Sequence, residues 1–272
     1  MDRTAFFAAL RSRANTLFGT SLSQAQVTGI EGIIDAFRTH GDGNPKTLGY
    51  ALATAYHETG GRMVPVREGF ASTDAGARRA VGALARKRGA GSAVARYSQP
   101  AGKYGHVYYG RGHVQLTWID NYRASSADAG YDLVAYPDQM LDPVISARVL
   151  VRGLMDGRWN GKRKGIGHYL PKSGPDDLKN ARRTVNVTDK WDDIAGYYQA
   201  FMTAIKAAGG VSTLEPAPAA VEEAPKATPK PTQKPVSAPK PAQAPTPAPA
   251  TKGKLAVFFD ALFAFLKKWT KQ

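Results

Sequence analysis

Two glutamates stand ten residues apart on either side of a Gly60-Gly61 turn, in the stretch LGYALATAYHETGGRMVPVREGF that runs from Leu48 to Phe70. Paired carboxyl groups near a tight turn can break a glycosidic bond. One protonates the leaving oxygen, and the other activates water or attacks the sugar. Apolar residues at Leu48, Ala51, Leu52, Ala55 and Tyr56 predict a helix that stops at the glycines, so Glu58 falls in its last turn. The negative end of the helix dipole lies there and disfavours ionisation, as a proton donor requires. The competing reading is a solvated glutamate at a helix end, which is the commoner situation. His57-Glu58 also begins a zinc-protease motif, but the second histidine that motif needs would stand where the chain has Gly61. No metal and no cofactor is expected.

The elements that must position these acids are mostly helical. Thr4 to Leu17 predicts a first helix. A second follows from a cap at Ser21 or Ser23, with Val27, Ile30, Ile33, Ile34 and Phe37 on one face. Pro45 suits the first turn of the helix carrying Glu58, with Thr47 as an alternative cap. Residues 74–88 predict an amphipathic helix with a strongly basic face, either solvated or bordering a substrate groove. Gly89 to Gly105 reads as an irregular loop. In YYGRGHVQLTWIDNY, residues 108–122, Val114 and Leu116 alternate with Gln115 and Thr117. That pattern predicts a short extended segment with Gln115 and Thr117 on one face, both able to hold water or sugar. Tyr108, Tyr109, Trp118 and Tyr122 either stack on sugars or fill core, and core is the better expectation for any one of them. The glycines around Arg111 lack the spacing of a phosphate loop. Helices are predicted at Pro143 to Asp156 and Trp191 to Ala208, with a loop-rich stretch over 157–177 and a short segment starting at Asp176 or Asp177 and ending near Asn186. No run of several strands occurs, so the fold is expected to be mainly α.

The 272 residues carry a net charge of +15 and no cysteine, which removes disulfides and thiolate chemistry. The positive charge suits nucleic acid, acidic lipid or anionic wall polymer. No basic run interleaved with aromatics marks a nucleic-acid groove, so nucleic acid is not an expected partner. Residues 215–251 hold eleven of the eighteen prolines and read as a polyproline-rich linker. Residues 252–272, KGKLAVFFDALFAFLKKWTKQ with Thr251 before them, place Leu255, Phe258, Phe259, Leu262, Phe263, Phe265, Leu266 and Trp269 on one helical face. That face either lies in a membrane interface through residues 255–269, docks on the body of residues 1–214, or pairs with itself. The apolar stretch near the start, six residues before Arg11, is short for a secretory signal.

AYHETGG (55–61), PVREGFA (65–71), YYGRGHVQLTWIDNY (108–122) and DLVAYPDQMLDP (132–143) together resemble the glycoside hydrolase family 19 domain, and within it the bacteriophage endolysin branch. The resemblance runs from about Ser21 to Ala208. It implies a lysozyme-like, two-lobed helical fold with a central cleft. It also implies Glu58 as general acid, Glu68 as the group activating water, and Thr117 as the hydroxyl that helps hold that water. Gln115, Asn121, Tyr122, Tyr109, Arg111 and Asn186 are the sugar-binding positions it suggests. A family arginine near the last helix has no counterpart there, and Asp193 stands instead. The reading that follows is an inverting, lysozyme-type peptidoglycan hydrolase that lyses a host cell and acts as a monomer. It would be made in the host cytoplasm and released to the periplasm and wall by a pore-forming partner, or carried in a virion. A chitinase is the alternative within enzymes; a wall-binding or membrane-disrupting protein acting through its C-terminal helix is the alternative outside them.

Overall fold

A computed structural model describes residues 1–160 and 164–211. The linker and the C-terminal helix expected at 215–251 and 252–272 lie outside the described residues. Among the described residues the fold is mainly α, as expected. The helices are α1 (Arg3–Leu10), α2 (Gln24–His40), α3 (Pro45–Glu58), α4 (Asp74–Arg88), α5 (Ala93–Tyr97), α6 (Ile119–Ala129), α7 (Pro143–Asp156), α8 (Leu178–Ala181) and α9 (Trp191–Ala207). No helix among them is long and apolar enough to cross a membrane.

Local chemistry accounts for the boundaries. Ser23 and Gln26 cap each other's backbone at the start of α2. Asn44 rather than Thr47 caps α3, its side chain accepting from Lys46 N–H, with Pro45 in the first turn. Asp142 accepts from the N–H groups of Val144 and Ile145 to start α7, and Gly157, in the left-handed region, ends it. Two expectations fail. The first helix stops at Leu10 rather than Leu17, because the chain turns at Arg11 and Asn15 then ties it to the Ala200 carbonyl of α9. The stretch 89–105 is not all loop: Ser92 caps a five-residue helix, α5.

α3 is the central element. Every residue from Thr47 to Ala55 is buried, and α3 packs against α9, α2 and α7. Its small residues permit this. A Cβ on Gly49 would come within 2.8 Å of Met202 Sδ, so only glycine lets α9 approach so closely. α2 packs on α7, and α1 on α9, around Phe6, Ile30, Ile34, Leu52, Leu150 and Phe201. A smaller group forms where α4 packs on α5 and on the 3-10 turn Glu68–Phe70. Two short antiparallel strands, β1 (Val66–Arg67) and β2 (Arg111–Gly112), adjoin that turn, with Val66 opposite Gly112 and Arg67 opposite Arg111. Glu58 therefore ends a helix of the larger group, and Glu68 opens a turn of the smaller one.

Candidate active site

Glu58 is the last residue of α3, with a side chain 15% exposed. Arg182 Nη1 lies 2.8 Å from its Oε1 and is itself almost wholly buried. Arg182 sits in the 3-10 turn Arg182–Thr184 after α8, and its Nε donates to the Asp189 carbonyl at 3.1 Å. The guanidinium is thus aimed by the turn that precedes α9. The helix end and the guanidinium act on the carboxylate with opposite sign, so the helix dipole is only one part of the local field. Asp193, noted in place of a family arginine, pairs with Lys190 instead. Arg182 is the residue that sequence reasoning missed. Its signal is the ARRT run four residues before Asn186.

Glu68 is held on both oxygens. Tyr97 donates its hydroxyl to Oε1 at 2.7 Å, and Gly110 N–H donates to Oε2 at 2.8 Å. Glu68 N–H in turn donates to the Gly110 carbonyl at 2.7 Å. Burial pushes the Glu68 carboxyl above its ordinary range, outweighing the Gly110 and Tyr97 hydrogen bonds and the nearby Arg111 charge, which all favour the ionised form. Tyr97 is the second missed residue, because its short helix falls where the Gly- and Ser-rich composition suggests loop. Burial, followed by the Glu68 carboxylate, pushes the Tyr97 phenol well up, so it remains a donor.

The segment after Gly110 differs from the extended strand expected. Only Arg111–Gly112 is strand; residues 113–115 turn, and Arg111 and Leu116 bridge back to each other. Gln115 adopts a positive φ of 49°. The alternation still buries Val114 and Leu116, yet Gln115 and Thr117 meet by a different route. Thr117 donates its hydroxyl to the Gln115 carbonyl at 2.8 Å, and Asn121 donates to the Thr117 carbonyl at 2.9 Å. Gln115 donates to the Val66 carbonyl at 3.0 Å and so clips this turn to the strand before Glu68. A Cβ on Gly110 would meet Gln115 Oε1 at 2.7 Å, so the close approach needs glycine there.

Three residues that the resemblance suggested for sugar binding are placed elsewhere, and for Tyr109 and Tyr122 that place is the core, the better expectation from residue type. Tyr109, Arg111 and Tyr122 are all buried, and they form the support beneath Glu68 rather than a surface that a sugar can reach. The reason is the cost of a buried guanidinium, which must be paired. Arg111 Nε donates to Asp138 at 2.7 Å, its Nη2 to Asp74 at 3.2 Å, and its Nη1 to the Tyr122 hydroxyl at 3.0 Å. Tyr109 lies under the guanidinium at 3.6 Å and donates to Asp74. Burial raises Asp138, but hydrogen bonds from Arg67 and then the Arg111 charge bring it below the ordinary carboxylate range. Asn186 stays half-buried just past the Arg182 turn, its N–H donating to the Arg182 carbonyl. Among the described residues no cluster of His, Asp or Glu could hold a metal.

A mainly helical body that presents one glutamate at a helix end and another at a strand-linked turn, each held by its own donors, supplies the two carboxyl groups that glycoside hydrolysis uses. The model of glycoside hydrolase family 19, described as chitinase class I, matches residues 20–162, more than half of the chain. The chain belongs to that family. Two solved structures are similar in part. Chitinase C from Streptomyces griseus HUT6037 is 19% identical, with 77% of this chain and 92% of that one covered and a TM-score of 0.41. A mutant of a chitinase C is 18% identical, with 77% and 93% covered and a TM-score of 0.42. No curated protein matches.

Proposed function

We propose that this glycoside hydrolase is a lysozyme-type peptidoglycan hydrolase that cuts the β-1,4 bond between N-acetylmuramic acid and N-acetylglucosamine with inversion, as a bacteriophage endolysin. Glu58 protonates the bridging oxygen. Glu68 takes a proton from a water that Thr117 helps to hold, and that water attacks from the other face of the sugar. Gln115, Asn121 and Asn186 bind sugar, while Arg182 positions Glu58 and Tyr97 positions Glu68. The reading is carried by two partly buried carboxylates, each held by separate donors. The net charge of +15 supports an anionic wall as substrate over a neutral polymer.

Mass spectrometry of products from purified peptidoglycan tests this directly, since it reports the bond cut and the reducing-end sugar together. Products ending in reducing N-acetylmuramic acid support the proposal, and peptide or amide cleavage overturns it. The family description favours a second reading, a chitinase. A higher kcat/KM on chitin oligomers than on soluble glycan strands would put that reading first. The Phe-rich face at 255–269, with Lys267, Lys268 and Lys271 beside it, supports a further role in engaging acidic outer-membrane lipid. Equal leakage of acidic vesicles with and without residues 252–272 would remove that role.

A further inference from the structure

We propose that Trp118 and Arg96 form a subsite for an acidic N-acetylated sugar, the indole stacking on the pyranose ring and the guanidinium pairing with its carboxylate. The proposal rests on the peptidoglycan reading only for the identity of that sugar. Trp118 is a large apolar side chain left 37% exposed. Its backbone stands at φ 76° and ψ 134°, a conformation costly for any residue with a Cβ. Hydrogen bonds fix it there: its N–H donates to the Tyr108 carbonyl at 3.0 Å, and its own carbonyl accepts from Asn121 and Tyr122. Glycine would satisfy that backbone without strain, so the packing of the covered part of the indole is set against a backbone cost that a smaller residue would avoid.

The position explains the residue type. The indole meets Tyr97 edge to face, with ring centres 5.4 Å apart and planes at 80°. The hydroxyl of that tyrosine is the one that donates to Glu68. Trp118 also follows directly on Thr117, so a ring resting on the indole would adjoin the water-activating side of the site. Arg96 is exposed, and its guanidinium stands over the indole at 5.9 Å from the ring centre, the outer edge of cation–π range. Among the described residues it has no ion pair, so its charge is available to a ligand. N-acetylmuramic acid presents both a stacking face and a carboxylate, borne on its lactyl ether or on the peptide it carries. N-acetylglucosamine presents only the face.

The test uses the full chain with soluble chitin oligomers and soluble glycan strands bearing stem peptides. Whichever polymer is cut supplies the steady-state readout, and the other is added as a competitor. Trp118→Gly is expected to leave Tm about unchanged, the relieved backbone strain offsetting the packing lost against Tyr97, and to raise KM about tenfold with kcat little changed. Trp118→Ala checks the same KM shift without the gain in backbone freedom. Arg96→Gln is expected to weaken glycan strands about three- to fivefold, as KM or as inhibition constant, and to leave chitin oligomers unaffected. A fall in Tm in Trp118→Gly with KM unmoved makes the tryptophan a packing residue and overturns the proposal. Equal effects of Arg96→Gln on both polymers overturn carboxylate recognition. Wild-type chain that cuts chitin but is merely inhibited by glycan strands would defeat the peptidoglycan reading and leave the subsite standing.

Discussion

The two acids are equipped differently. Glu58 faces one buried guanidinium, whereas Glu68 receives a phenol and a backbone N–H. Glu58→Gln keeps the shape and removes the transferable proton, so kcat should fall by about 10²–10⁴-fold with the fold intact; a variant that still clears purified peptidoglycan at the wild-type rate refutes the assignment. Glu68 must be ionised to accept a proton from water. Its carboxyl lies above the ordinary range, so the acid limb of kcat/KM should sit above about pH 4.5, the reference value for glutamate. The Tyr97 hydroxyl favours the ionised form, so Tyr97→Phe should move that limb to still higher pH. A pH–rate profile that stays put, or moves to lower pH, shows that Glu68 is not the group being titrated.

At the scale of elements, the turn 113–117 is latched to the body by a buried histidine. His113 N–H donates to Ser146 Oγ at 2.8 Å, its Nδ1 lies 2.9 Å from the same oxygen, and its Nε2 lies 3.1 Å from the Met63 carbonyl. The ring is neutral with its proton on Nε2, donating to Met63, and Nδ1 accepts from the Ser146 hydroxyl. Burial holds it down to about 4, against 6.5 for a free imidazole. As pH falls the unfolded chain takes up this proton first, so the latch's stabilisation is whole above pH 6.5 and is lost between 6.5 and 4. The loss amounts to roughly 3 kcal/mol at about 1.4 kcal/mol per unit. Urea midpoints measured at pH 7 and pH 5 should drop more in the wild type than in His113→Asn; parallel drops would assign the pH dependence to other groups. α2 imposes a constraint of its own. A Cβ on Gly29 would stand 1.8 Å from the Met63 carbonyl oxygen, so Gly29→Ala must push α2 away from the segment that links the two acids. That overpacking should cost about 1–3 kcal/mol or more, visible as a lowered Tm.

For the whole chain, charge is the property that acts at long range. Of the net +15, residues 215–272 contribute nine lysines and four acids, or +5, and the rest contribute +10. Binding to isolated cell walls should therefore weaken as salt rises. Cutting the chain after Thr213 should reduce that salt dependence by about a third while glycosidase activity on soluble oligomers persists. Binding that is insensitive to salt would mean the charge is not what brings the chain to its substrate.

How much of this was legible in sequence differs from element to element. The α7 boundaries and Glu58 in the last turn of α3 follow from local rules: a cap residue, a proline in the first turn, a glycine at the stop, and a 3.6-residue apolar period; α9 follows from its apolar period alone. Each depends on neighbours a few residues away, and the sequence contains those neighbours. The motif stretches likewise placed the chain in its family. The sequence could not pair Glu58 with Arg182, 124 residues further on, or Glu68 with Tyr97 from a helix of only five residues. Tyr109 and Tyr122 were expected in core as aromatics, but the sequence could not turn Arg111 inward with them, because an arginine beside glycines reads as surface until the two aspartates that neutralise it, Asp74 and Asp138, are brought alongside. Helix ends and apolar faces are properties of short segments. The field and the donors around a catalytic carboxylate come from segments distant in the chain, and only the packed molecule sets them.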